Sequence, residues 1–247
     1  METIEISTSD GVAEAYLARP DGTPKGGVLL FMDAFGLRPW IGEMAEEIAS
    51  WGYLVLAPNV FYRDGSVAEL APTVDLAVPE ERARFFSELG GGERIARLTP
   101  ELAAIDIAAY AATLREYVGT SAVLAATGYC MGARLAVRAG GQLPDLIRAV
   151  GGFHGGGLVT EAPTSPHTTL RAGVTYLFGH ADQDRSMTVE DAEALDETLL
   201  AAGATFRSAI YPDAPHGYTM RDTSNWHEPS YRRHLTELRV LLREVLG

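Results

Sequence analysis

The sequence predicts an α/β protein with a mostly parallel central sheet of about seven or eight strands and helices on both faces. Three observations carry this. Unbroken apolar runs at 27–32, 53–57, 122–126 and 149–153, and the largely apolar 174–178, have the pattern of strands covered on both sides. Segments with helical spacing of apolar residues alternate with them. Glycines and prolines punctuate the junctions, as at Gly52, Pro58, Gly119 and Gly203.

In chain order, residues 3–7 and 12–18 alternate apolar and polar around Asp10-Gly11, which predicts an antiparallel hairpin at the sheet edge. The strand at 27–32 leads into a loop, 33–39, and a helix over 41–51 stopped by Gly52. A strand follows at 53–57. Residues 58–98 are harder to assign; 80–89 has helical character and ends at a run of three glycines. Thr99 and Pro100 are an N-cap and an N1 proline opening a long helix to about Val118. After strand 121–127 a helix runs over 133–139. The strand at 149–153 opens a glycine-rich loop at His154, and the strand at 174–178 ends at Gly179. A capping box at 188–191 begins a helix to Ala202, residues 205–211 form the last strand, and 230–246 an amphipathic C-terminal helix. No linker or repeat interrupts the chain, so 1–247 is expected to be a single domain.

Composition narrows the function. The chain has 247 residues, a net charge of −13, 47% hydrophobic residues and one cysteine. Nucleic acid and anionic membranes need clustered Lys and Arg, which this balance does not offer. A small anionic substrate needs only one or two local arginines. One cysteine permits no internal disulfide, the N-terminus has no signal-peptide pattern, and no run is long enough to span a bilayer; a cytoplasmic location is expected.

The chemistry centres on Gly128-Tyr129-Cys130-Met131-Gly132, a G-x-C-x-G between a strand and a helix. This is the nucleophile elbow of α/β-hydrolases with Cys in place of Ser. A lone cysteine is more often buried and inert; the strand–turn–helix setting reverses that. Parallel sheets collect chemistry at the carboxyl ends of their strands. Asp182 follows the 174–178 strand and His216 follows the last one, giving the order nucleophile, acid, base. Asp184, two residues on, is the alternative acid; the G-x-x-D spacing favours Asp182. The N–H groups of Ala34 and Met131 are the expected oxyanion hole. Asp33 directly follows the 27–32 strand. Arg82, Arg84 and Arg221 are candidates for gripping an anionic group, and His154 ends a strand. His167, His180, His227 and His234 lack metal-ligand spacing, so neither metal nor cofactor is expected.

On these residues the chain resembles the dienelactone hydrolase family of α/β-hydrolases. Gly128 to Ala133 is similar to the family's G-Y-C-[ML]-G-G, Asp33-Ala34-Phe35-Gly36 to its E-x-F-G loop, and Ala57 to Phe61 to its A-P-D-L-Y. Gly179 to Asp182 and Ala214 to Tyr218 are similar to its acid and histidine motifs. The resemblance implies an α/β-hydrolase fold and a cofactor-free hydrolase of esters or lactones working through a thioester on Cys130. It also implies that Asp33, in place of the family's Glu, modulates the thiol. Arg84, Phe35 and Arg221 are then expected at the substrate, which is small and, by the arginines, anionic. The protein is expected to be a monomer or small homo-oligomer. Two other readings are a non-catalytic small-molecule binder on this scaffold and a dinucleotide-binding loop; the latter lacks G-x-G-x-x-G after the first strand.

Overall fold

A computed structural model describes residues 1–247. Its strands are β1 (Glu2–Thr8), β2 (Gly11–Ala18), β3 (Gly27–Phe31), β4 (Leu54–Pro58), β5 (Leu124–Tyr129), β6 (Ile147–Phe153), β7 (Thr175–Gln183) and β8 (Thr205–Pro215). They form one sheet in the order β1-β2-β4-β3-β5-β6-β7-β8. β1 and β2 pair antiparallel, as does β2 with β4, and every other pairing is parallel. The predicted hairpin is therefore the edge. The central strands β3, β4 and β5 are buried along their whole length, which is why they read as continuous apolar runs.

The helices are α1 (Pro39–Ser50), α2 (Val67–Leu70), α3 (Pro79–Ser87), α4 (Gly91–Arg97), α5 (Pro100–Val118), α6 (Met131–Gln142), α7 (Val189–Ala201) and α8 (Glu228–Leu246). The chain steps one way from β3 to β4 and the other way from β4 across to β5. Right-handed crossovers then place α1 on one face and α5 and α6 on the other. α8 meets α1 through Tyr231 and Trp40, ring centres 5.7 Å apart. The carboxyl ends of β3 and β5, at this change of direction, are where a doubly wound sheet opens a crevice.

Local chemistry explains the element ends. The Thr99 hydroxyl accepts from Leu102 N–H at the start of α5, and Thr188 and Asp191 form the reciprocal cap of α7. The stretch that was hard to assign folds as three short helices, α2 to α4. α3 ends at Ser87 with Glu88 as its C-cap; Gly90, at a left-handed φ of 80°, is the N-cap of α4, and Gly91 and Gly92 begin that helix rather than a loop. β7 continues to Gln183 rather than ending near Phe178, and that extension changes the site. No helix is long and apolar enough to cross a membrane.

Candidate active site

Cys130 stands between β5 and α6 with φ 54° and ψ −117°. Such a backbone in a residue with a side chain costs about 1–3 kcal/mol and persists only when its surroundings enforce it. They do. A Cβ on Gly128 would lie 2.0 Å from the Gly132 carbonyl oxygen, and one on Gly132 would lie 2.3 and 2.4 Å from the carbonyl oxygens of Phe31 and Met32. The flanking glycines thus let the turn fold on itself and seat against the end of β3. The Cys130 N–H donates to Phe153 O at 3.1 Å, fixing the turn to β6 as well.

His216 immediately follows β8, and its Nε2 lies 3.0 Å from Cys130 Sγ. Its Nδ1 lies 2.6 Å from Asp184 Oδ2. The structure brings Asp184, the alternative acid, to His216 in place of the preferred Asp182. Asp182 still belongs to β7, and its carboxylate accepts from the Asp213 N–H at 3.1 Å. Asp184 is the first residue beyond the strand, where the chain can turn toward His216. Its other oxygen accepts from the Ser186 N–H at 2.8 Å and the Ser186 hydroxyl at 2.6 Å. The Asp184 side chain is 1% exposed and that of His216 30%. Burial alone would lower the His216 pKa. A thiolate at Cys130 and the Asp184 carboxylate overcome it and push the value up to about 10. Burial works against the Asp184 charge, and the bonds from His216 and Ser186 more than offset it, leaving its pKa lowered.

Ala34 and Met131 both border the groove beside Cys130. The Ala34 N–H has no acceptor, and Met131, as the first residue of α6, has no partner for its N–H within the helix. Asp33 is buried nearby but does not bond the sulfur. Its two oxygens accept from Arg38 at 2.6 and 3.0 Å, and one also accepts from the Phe35 N–H. Arg38, which sequence reasoning missed, also donates to Asp222, Gly36 O and Met220 Sδ. The expected thiol modulator is therefore engaged elsewhere: the shorter side chain is held back by a buried guanidinium.

Two cavities meet at Cys130. An inner one of about 120 Å³ is bordered by Asp33, Phe35, Arg82, His154 and Asn225; an outer, open groove of about 700 Å³ runs past Met131, Arg134 and Gly157. Arg84 is not at either. It is 48% exposed and pairs with Glu81 and Glu88. Arg82, two residues away and so on the opposite side of α3, reaches the inner cavity, donating to Leu76 O, Ser224 and Asn225 Oδ1. Asn225 in turn donates to His216 O at 2.7 Å. Arg221 is likewise elsewhere, paired with Glu43 and stacked 4.2 Å over Trp40. Phe35 lines the inner cavity, packed on Phe85 and Phe86. His154 is fully buried, its Nε2 2.7 Å from Thr219 Oγ1 and its Nδ1 without a partner. Burial and the neighbouring His216 hold its pKa well below the usual histidine value. No group of three or more His, Cys, Asp or Glu is arranged to hold a metal ion.

The family model described as the dienelactone hydrolase family matches residues 13–246. The chain belongs to the dienelactone hydrolase family. It is accordingly a hydrolase. A protein of Methylorubrum extorquens, provisionally named a carboxymethylenebutenolidase, is 27% identical over 93% of this chain and 74% of its own. Carboxymethylenebutenolidase 1 of Cupriavidus pinatubonensis is 28% identical over 78% of this chain and 76% of its own. Among solved structures, a provisionally named dienelactone hydrolase of Klebsiella pneumoniae superposes with a TM-score of 0.81 at 22% identity, covering 98% of both chains. That likeness bears on the fold, which is the α/β-hydrolase fold expected. Of the site residues, Arg82 carries a sequence signal that singles it out. Arg82, Phe85 and Phe86 lie at i, i+3 and i+4, one helix face, which separates Arg82 from Arg84. Arg38 carries no comparable sequence signal, because its partners Asp33 and Asp222 are far apart in the chain.

Proposed function

We propose that the chain hydrolyses carboxylic esters or lactones through Cys130, with His216 as proton carrier and Asp184 as the carboxylate that orients and charges His216. The observation that carries this reading is the unbroken line Sγ–Nε2–Nδ1–Oδ2, with contacts of 3.0 and 2.6 Å, across three strand ends. Its relatives' name, carboxymethylenebutenolidase, denotes a lactone substrate and supports the same class.

At rest, His216 shares its proton with the sulfur, and the start of α6 favours the thiolate. Sγ attacks the substrate carbonyl, and the resulting oxyanion takes the N–H groups of Ala34 and Met131. The C–O bond breaks, and the leaving oxygen takes the proton from His216 Nε2. A water then gives a proton to His216 and attacks the thioester; the C–S bond breaks and the thiolate–imidazolium pair returns. Because Arg38 holds Asp33, the thiol is armed by His216 and the start of α6, without Asp33. The inner cavity suits a small acyl group, with Arg82 at its wall for a polar or anionic end.

p-Nitrophenyl acetate turnover by the Cys130→Ala variant is the test. Loss of turnover, with a single acetyl group trapped on Cys130 of the wild type and seen by mass spectrometry, is expected. Full turnover in the variant would end the proposal.

A further inference from the structure

The arginines that are not exposed divide sharply. Arg38, Arg63, Arg82, Arg94 and Arg138 each donate to at least one oxygen. Arg134, the remaining one, makes no hydrogen bond and no ion pair. A guanidinium has five N–H donors, and withdrawing it from water without an acceptor is costly. Burial pulls the Arg134 pKa down, and the charge on Cys130 offsets only part of that.

Its position says what is missing. Arg134 lies one turn after Met131 on α6, on the same face, and borders the outer groove together with Cys130 and His216. Its side chain runs out under the glycine-rich loop: a Cβ on Gly157 would stand 3.9 Å from its Cδ and 4.0 Å from its Nη1. Gly157, at φ 64°, leaves that space open. Arg185, exposed and also without a partner, borders the same groove. The acidic side chain there, Asp184, is engaged by His216 and Ser186. In a chain of net charge −13, this is a local positive site beside the nucleophile, separate from Arg82 in the inner cavity.

We propose that Arg134 binds a carboxylate on the part of the substrate lying in the outer groove, so that the preferred esters or lactones carry their anion on that side of the scissile bond. The inference rests on Cys130 being the nucleophile. A carboxylate fits because the guanidinium fork takes its two oxygens side by side and one charge balances one charge.

The experiment compares two acetate esters, p-nitrophenyl acetate and 3-carboxy-4-nitrophenyl acetate, which differ by a carboxylate on the leaving side. For Arg134→Gln, the ratio of kcat/KM for the carboxylated ester to that for the neutral one falls about tenfold or more relative to wild type, which is about 1.4 kcal/mol. The loss appears mainly in KM, and Arg134→Lys recovers part of it. Arg82→Gln changes this ratio less. A ratio within about twofold of wild type in Arg134→Gln overturns the proposal. So does an unchanged ratio with a shifted pH profile of Cys130 alkylation, which would make Arg134 a positioning residue for the thiolate. If the variant does not fold, wild-type protein decides: benzoate must slow iodoacetamide labelling of Cys130 more than benzamide does, and equal protection overturns the idea. Turnover retained in Cys130→Ala, by contrast, removes the nucleophile assignment and leaves the ester ratio to report on Arg134 separately.

Discussion

His216 touches Cys130 through one nitrogen and Asp184 through the other, and each contact has a measurable consequence. Replacing Asp184 with Asn leaves the imidazole free to take the wrong tautomer, so kcat is expected to fall by about 10²–10⁴. Asp182→Ala removes only the acceptor for the Asp213 N–H and is expected to cost roughly 1 kcal/mol of stability with little change in kcat. Comparing the two variants in the same esterase assay separates the candidate acids. The second consequence is pH dependence. The His216 pKa is raised from 6.5 to about 10, so its pairing contributes fully below about 6.5 and is lost as pH rises through 10. Asp184 is lowered from 3.8, so its part is present above that value and lost on acidification. The stability gap between wild type and His216→Gln, from urea titrations, is expected to be widest near pH 6 and to narrow toward pH 10. Cys130 and His216 were legible in the sequence because each lies within a few residues of the end of a predicted strand, 121–127 and 205–211. Asp184 was displaced by two because the polar tail of β7 keeps its strand pairing to Gln183, and polar residues give no sign of where such pairing ends.

Among the elements, the turn from β5 to α6 and the loop after β3 form one unit. Gly132 lets the carbonyls of Phe31 and Met32 approach the helix start, and the same loop carries Ala34. Gly132→Ala would push backbone against backbone, which a flexible side chain cannot relieve. A loss of at least about 2 kcal/mol, read by thermal unfolding, and loss of esterase activity in the remaining folded protein are expected. Every strand and every long helix was legible, because apolar periodicity and caps such as Thr99 and Thr188 act locally. Among the inserted helices, α3 was signalled by the helical stretch at 80–89, whereas α2 and α4 were not. All three are short, and α3 is seated by Phe85 and Phe86 meeting Phe35 across about fifty residues of chain. The choice of Arg84 over Arg82 failed for the same reason: the face of α3 is set by that aromatic contact. Arg38 and Asp33 show the limit most clearly, since a buried ion pair depends on how loop and helix close over it.

For the molecule as a whole, a net charge of −13 means that folding concentrates like charge, and screening should relieve it. Raising NaCl from 10 to 150 mM shortens the Debye length from about 30 to 8 Å and is expected to raise Tm by about 2–4 °C in calorimetry, the effect of roughly 1 kcal/mol at this size. A fall in Tm would mean that surface pairs such as Arg207–Glu244 outweigh the repulsion. The strand order concentrates Asp33, Cys130, Asp184 and His216 at one end of the sheet, while the hairpin of β1 and β2 lies far from them at its edge. The glycine-rich loop after β6 has a bearing on how such a protein can change. A Cβ on Gly156 would lie 2.6 Å from Ser186 Oγ and 3.5 Å from His216 Cε1, and one on Gly155 would lie 2.9 Å from Ala133 Cβ. That wall of the outer groove cannot accept side chains without disturbing Ser186 and His216. The facing wall, Phe86 and Ile95, belongs to the inserted helices, and α3 is tied to His216 through Arg82 and Asn225. New substrate ranges are therefore open to evolution or design mainly from that side, by changing Phe86 and Ile95 while Arg82 is kept.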